Sequence, residues 1–427
     1  MGLVKELKAL SIPDEEEVVF VRPGLCRWRS LLDRNMSVLA DVAGRRESLR
    51  ELLCIARAFT EDVTKKRRAV GMSEEVIATG HQPVWEHCGI WIKDVMACRL
   101  AEAVGGTVLH IVVDHDVCDT GILLPRLNNG GGLERVDIEV GQAAVGAEWR
   151  GCPDEERVEA FVDAVVGWGH GGLCSDIWPM WRRGRSGWMG EFSSVADLIV
   201  YLQWLLNDAL GLNMLYLPVS RLCESDAFLD FACRLIIDAE RFARSYNDAR
   251  AEQMSELGLG KWQSVRRLSV GKGGSPVEVP LWVVSEGGER GTLYVEATAD
   301  GALIWCNGVK LGVVDLAGGG GALKEILSLW GRRLRPKAVV LTLFVRLFLA
   351  GWFVHGIGGW RYEYIVDRII EDYFGISGVG FGVATTSVRF AESEGCGTAG
   401  REYFFGLFGA ERLRGLAESI FFGEGLR

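Results

Sequence analysis

The sequence contains no Cys-x-x-Cys pair, no unbroken apolar run of bilayer length and no excess of positive charge. Each absence argues against a class of protein. The eleven cysteines are scattered singly and odd in number, which suits reduced, mostly buried thiols in a cytoplasmic protein better than a disulfide frame or a cysteine zinc site. The longest apolar run, Ala338 to Val354, is broken by Arg346 and Gly351. A membrane span needs about 20 apolar residues, so this stretch reads as a buried helix followed by a strand. The residues after Met1 carry no apolar core of signal-peptide length. Lysine plus arginine number 47 against 57 acidic residues, for a net charge of −10. That balance argues against non-specific nucleic-acid binding but leaves room for a local site that takes an anionic small molecule. With 48% apolar and 24% charged residues over 427 positions, the chain is globular. It is long enough for a main domain with large insertions or for two domains.

Histidine is scarce, and three of the six fall in two short polar clusters of one structural unit. Val76 to Gly80 is a short apolar run that stops at glycine. The segment from His81 to Gly89 follows, with Gln82, Pro83 and His87 in it, and then about four helical turns from Ile90 to Val104. A second apolar run, Val108 to Val113, ends in Asp114, His115 and Asp116. This pattern predicts a parallel βαβ unit. Both clusters then lie at the carboxyl ends of neighbouring strands, the edge where open α/β sheets bind ligands. Gly89 falls where the helix begins, so a phosphate or carboxylate can meet backbone N–H groups and the positive dipole end there. His87 stands two residues before it and Lys93 one turn inside, while Ile92, Met96 and Leu100 mark the face that packs on the sheet. The plainer alternative for His81 and His87 is that they brace the loop. His110, in mid-strand, reads as a hydrogen-bonded core histidine. Asp114, His115 and Asp116 can hold a metal, activate a nucleophile or bind a ribose, although adjacent strand side chains point apart.

The remaining pattern divides the chain into six segments: an amino-terminal arm with helices (1–70), the first part of the core (71–116), an insertion (117–195), a core continuation (196–250), a β-rich insertion (251–320) and the carboxyl-terminal part of the core (321–427). Arg27 to Arg68 is helical, with Leu49, Leu52, Leu53 and Ala56 in its apolar stripe; Lys65 to Arg68 reads as its solvated end. In the first insertion, Asn128 to Gly132 is a turn, Glu134 to Val140 an edge strand and Glu155 to Val166 a helix. Trp168, Trp178, Trp181 and Trp188 stand among Arg182, Arg183 and Arg185, as a lid stitched by aromatics or a surface that stacks on a base or binds phosphates. Asn213 to Val219 is a third strand and Glu224 to Ala251 one long helix. Four short strands fill 276–316, with Asn307 and Gly308 as a hairpin turn. Gly271 to Gly274 reads as a plain turn, with a mobile phosphate-binding loop as the alternative. Gly318 to Gly321 is a flexible joint before a helix from Leu323 to Leu334. Near the end the strand–loop–helix pattern returns as Trp352–His355, Gly356–Gly359 and Trp360–Phe374. Gly356, Gly358 and Gly359 permit close backbone approach to a ligand, and His355 and Arg361 flank them. Val379 to Val388 is the last strand.

At Thr79-Gly80-His81-Gln82, Gly89, Lys93 and Asp114-His115-Asp116, the chain resembles the bacillithiol-biosynthesis cysteine-adding enzymes. Those carry a Thr-Gly-Gln-Gln loop, a helix start followed by a lysine, and a Glu-Asp-His-Asp strand end. His355 to Gly359 followed by Tyr362 is similar to their late glycine-rich loop and tyrosine. His87-Cys88-Gly89-Ile90 also resembles the His-x-Gly-His signature of the wider superfamily. In this chain Thr-Gly-His-Gln replaces Thr-Gly-Gln-Gln, Val113 stands in place of the family's glutamate, and no long heptad segment is present. The resemblance implies a nucleotidyltransferase-like Rossmann core with connecting segments.

The leading expectation is therefore an α/β protein with a Rossmann-like parallel-sheet core and two insertions. It acts as a carbon–nitrogen ligase or transferase on a small molecule and uses ATP or another nucleotide. His81, Gln82 and His87 contact phosphate or carboxylate, and Gly89 allows close approach. Asp114, His115 and Asp116 orient an amine or ribose and supply a base, while Gly356, Gly358 and Gly359 line the nucleotide pocket. No nucleic acid and no membrane is expected as a partner. The alternatives are a non-catalytic nucleotide-binding relative and a metal-dependent hydrolase built on His81, Asp114, His115 and Asp116.

Overall fold

The computed structural model describes residues 19–66, 72–85, 88–125, 133–139, 143–168, 192–257, 265–271, 275–299 and 301–386. Their strands, in chain order, begin with β1 (Val19–Arg22), β2 (Val76–His81), β3 (Thr107–Val112), β4 (Ile122–Pro125), β5 (Leu133–Val136) and β6 (Leu215–Pro218). They continue with β7 (Val277–Ser285), β8 (Arg290–Thr298), β9 (Gly301–Cys306), β10 (Val309–Val314), β11 (Arg332–Pro336), β12 (Trp352–His355) and β13 (Gly382–Thr386).

Six of them form the main sheet in the order β1-β13-β12-β2-β3-β6. From β13 to β6 every pairing is parallel, and β1 closes the edge antiparallel to β13. The reason lies in their composition. Successive side chains of a strand point to opposite faces, and here both faces are apolar: Val76 and Ala78 face one core and Ile77 the other, as do Leu109 and Ile111 against Val108 and Val112. Such strands are stable only when helices cover both sides. The helix Cys88–Val104 covers one face, resting on β2, β12 and β13. Its expected single apolar face at Ile92, Met96 and Leu100 is part of a fuller burial, since Trp91, Val95, Ala97 and Cys98 are also inside. The helix Val195–Ala209 belongs to the same apolar cluster, and Trp91 Nε1 donates to Asn207 Oδ1 at 2.8 Å. The opposite face carries the helix Arg45–Thr64 and the apolar residues of 226–257, 338–349 and 360–373.

The 276–316 region forms the expected hairpins within a second, antiparallel sheet of order β10-β9-β8-β7-β11. Asn307 and Gly308 both have positive φ, 48° and 81°, as a tight two-residue hairpin with matching twist requires. Leu281, Val283, Leu293 and Val295 of this sheet belong to the same apolar cluster as Leu109 and Phe344. The insertion therefore shares its core with the main sheet.

Several local expectations are corrected. The 27–68 stretch is two helices, Trp28–Leu39 and Arg45–Thr64, interrupted before Gly44 at φ 79°. The long helix at 224–251 breaks at Asp238, although its apolar stripe runs on through Phe242. Gly318 to Gly321 is no joint: the helix Gly319–Leu329 begins there. A Cβ on Gly320 would lie 2.7 Å from Asp230 N, so glycine allows two helices to touch. That helix ends at Leu329, and Arg332–Pro336 become β11. β1 was not foreseen, and the expected strand at 134–140 is the shorter β5, paired with β4. The Trp- and Arg-rich tract at 169–191, the turn at 128–132, His87, and most of the 271–274 turn lie outside the described residues. Among the described residues no helix is long and apolar enough to cross a membrane.

Candidate functional site

β2 and β3 pair in register from Val76 opposite Thr107 to His81 opposite Val112. Both polar clusters consequently leave the sheet at the same end. β12 lies on the other side of β2, so the sheet order reverses between β2 and β12, with the later strands on one side and β3 and β6 on the other. Over this end lies a cavity of about 730 Å³, within the range of small-molecule sites.

The β2 corner contributes Gly80, His81 and Gln82, and the first turns of the helix Cys88–Val104 contribute Gly89 and Lys93. Lys93 is 3% exposed and donates from Nζ to Gly80 O at 2.8 Å. Gly80 has a steric reason to be glycine: a Cβ there would sit 2.4 Å from the Ile111 carbonyl oxygen on the adjacent strand. The β12 corner contributes His355, Gly356, Gly358, Gly359 and Tyr362. Arg361 is exposed and does not line the cavity. The second sheet supplies the facing wall through Glu278, Trp282 and Lys337. Lys337 Nζ lies 4.3 Å from the Trp282 ring centroid and 2.9 Å from Glu278 Oε1, a cation held on an aromatic face.

The three polar residues after β3 part company. Asp114 is buried and turned away from the cavity; Oδ1 accepts from Ser220 N at 2.9 Å and Oδ2 meets the Ser220 hydroxyl. Burial, helped by Glu148, pushes its carboxyl up to about 7 against the pull of Ser220 and Arg335. His115 lines the cavity and its Nε2 lies 3.1 Å from Pro336 O at the end of β11. Asp116 also lines it, accepting from Gln82 Nε2 at 3.2 Å and from Arg290 at 3.1 Å. The expectation that all three share one pocket is thus met by His115 and Asp116 but not by Asp114.

Behind the glycine loop lies an ion network that sequence reading missed. Arg346 and Glu363 are 1% and 0% exposed and in contact. Arg346 also reaches Asp367 Oδ1 and Val379 O, each at 2.8 Å. His355 Nε2 approaches Glu363 Oε1 at 2.7 Å, off the angle of a good hydrogen bond. Burial holds the His355 imidazolium below its ordinary range, against the pull of Glu363. Burial alone would raise the Glu363 carboxyl, but His355 and Arg346 hold it below the usual carboxylate range. The signal was present: Arg346 interrupts the longest apolar run, and a buried guanidinium requires an acid partner. No sequence signal marked Trp282 or Lys337, because their strands reach the site only through tertiary packing.

His110 is the core histidine expected, with Nδ1 3.0 Å from Asp94 Oδ1 and both side chains buried. Among the described residues no three His, Cys, Asp or Glu side chains converge as metal ligands. No protein-family model matches the chain, and no curated protein does.

Proposed function

We propose that the chain is a nucleotide-binding ligase or transferase that joins a carboxylate to an amine, on a Rossmann-like core of nucleotidyltransferase type. One observation carries this reading: two strand–loop–helix corners, at β2 and β12, flank the reversal in strand order and open into one cavity. Taken in chain order, the five parallel strands run 3-2-1-4-5, the order on which mononucleotide phosphates are bound at such a reversal. The first turns of the helix Cys88–Val104, at Gly89, offer the positive dipole end to a phosphate, with Lys93 and His81 beside it. Among the described residues, Gly358 has nothing within 4 Å of a would-be Cβ and Gly356 only the Lys93 stem at 3.6 Å, so backbone there can approach a ligand closely. The carboxylate is activated by transfer of a phosphoryl group with release of the nucleoside diphosphate, or of a nucleotidyl group with release of pyrophosphate. The amine nitrogen then bonds to the acyl carbon as phosphate or the nucleoside monophosphate departs and a proton is lost. Positioning and charge stabilisation carry most of the rate.

The test is thermal unfolding of the full chain with ATP, other nucleoside triphosphates and inorganic phosphate. A ligand at about 100 times its Kd stabilises the folded state by about 2.7 kcal/mol, readily seen as a raised Tm. His81→Ala is expected to reduce that rise while leaving the ligand-free Tm unchanged. Silence from every nucleotide would refute the reading.

A further inference from the structure

The environment of His115 fixes more than its presence in the cavity. Its side chain is 5% exposed, and Nε2 lies 3.1 Å from the carbonyl oxygen of Pro336. A carbonyl only accepts, so Nε2 carries the hydrogen. Burial lowers the imidazole to about 4, with Arg335 and Arg290 pressing the same way and Asp116 and Glu148 opposing. The ring is neutral at pH 7, and its lone pair lies at Nδ1. Nδ1 is buried and, among the described residues, meets no hydrogen-bond partner. Buried acceptors are almost always satisfied, and this one belongs to a residue that lines the cavity.

We infer that His115 Nδ1 receives a hydrogen-bond donor of the substrate, a sugar hydroxyl or an amine N–H, and so orients the acceptor molecule. Resting on the reading proposed above, the ligand then lies with its donor end at the β3 corner and its anionic end at the β2 corner. An anionic oxygen at Nδ1 would set lone pair against lone pair. The same environment makes His115 a positioning group and not a proton acceptor: burial holds the imidazole well below its ordinary range, so the neutral form prevails at pH 7.

Two isosteric variants separate the ligand role from the brace. His115→Gln sets an amide N–H near the place of Nε2, keeping the Pro336 bond and deleting the acceptor. His115→Asn sets an amide oxygen near Nδ1 and deletes the brace. The full chain, labelled with nitrogen-15 histidine, is examined by NMR alone and with ATP, glucosamine or L-serine, and binding is measured in parallel. The ligand-free spectrum is expected to show His115 protonated at Nε2 and bare at Nδ1, and a ligand that binds shifts Nδ1. His115→Gln keeps the wild-type Tm and weakens that ligand about tenfold, whereas His115→Asn lowers the Tm and binds within about twofold of wild type. A proton on Nδ1 in the free protein, or an Nδ1 that none of the three probes moves, overturns the inference. Wild-type affinity in His115→Gln overturns it too. A shift with glucosamine, together with no binding of ATP or any other nucleotide, would sink the nucleotide reading while leaving this one standing.

Discussion

Replacing Gly359 by alanine tests whether the loop after β12 is held by packing against His355. Gly359 has φ −74° and ψ −35°, an ordinary helical conformation that alanine adopts freely, so backbone strain plays no part. The effect is steric. A Cβ at this position would lie 2.6 Å from His355 Nδ1 and 3.4 Å from the Tyr362 hydroxyl. His355 has little freedom to retreat: its ring centroid is 4.2 Å from Phe353 and 5.6 Å from Phe381, and Nε2 abuts Glu363, itself in contact with Arg346. Overpacking a filled site costs about 1–3 kcal/mol. Against it stands the reduced freedom of the unfolded chain, about 0.4–1 kcal/mol in favour of alanine. The net expectation is a loss of roughly 0–2.6 kcal/mol, centred near 1.3 kcal/mol. Gly358→Ala is the control, because no described residue lies within 4 Å of its Cβ and its φ is not positive; it is expected within about 0.5 kcal/mol of wild type or slightly above it. Urea unfolding followed by fluorescence gives both midpoints, and an unchanged m-value assigns the shift to stability. Equal midpoints for the two variants would refute the packing argument.

Two further outcomes follow from buried charge. Arg346→Met leaves Glu363 with its guanidinium partner gone and is expected to destabilise by about 3–5 kcal/mol; adding Glu363→Gln should return a large part of that in the same denaturation assay, and a double variant no better than the single would contradict it. Asp114 has a folded pKa of about 7 against an unfolded value of about 3.9, so the folded state binds more protons between those values. Its contribution to stability is present in full below about pH 4 and is lost as pH rises through 7. Asp114→Asn retains an acceptor for Ser220 N and cannot titrate, so the stability of wild type relative to this variant should fall between about pH 4 and pH 7 and level off above. A pH-independent difference would show that Asp114 is not raised.

What the sequence made legible was local periodicity, and what it hid was tertiary closure. The runs at 76–80 and 108–113 were short, apolar and separated by one helix length, and they are neighbouring parallel strands. His110 was readable as core because it sits between apolar residues of such a strand. Asp238 breaks a helix without disturbing the apolar stripe on either side, so periodicity alone merges the two halves. Glycine at 318–321 suggests a flexible joint through its usual freedom, whereas here it serves contact between the helix Gly319–Leu329 and Asp230. β1 and β11 were missed because each is short and pairs with a strand more than 40 residues away. The second wall of the cavity was missed for the same reason.

The three polar residues after β3 show how one short segment serves fold and site together. Consecutive side chains in an extended or turning chain diverge, so Asp114, His115 and Asp116 reach three different neighbours. Asp114 fixes the end of β6 through Ser220, His115 meets the end of β11 at Pro336, and Asp116 joins Gln82 after β2 to Arg290 of β8. The His115 contact is buried and the Asp114 contact half-buried, and together they tie the parallel sheet to its surroundings. The Asp116 and Arg290 side chains are 37% and 24% exposed, and an ion pair so placed contributes about 0–1 kcal/mol. Stability therefore accounts for Asp114 but only weakly for Asp116. The polarity of Asp116 is better explained by the cavity it borders than by the contact it makes.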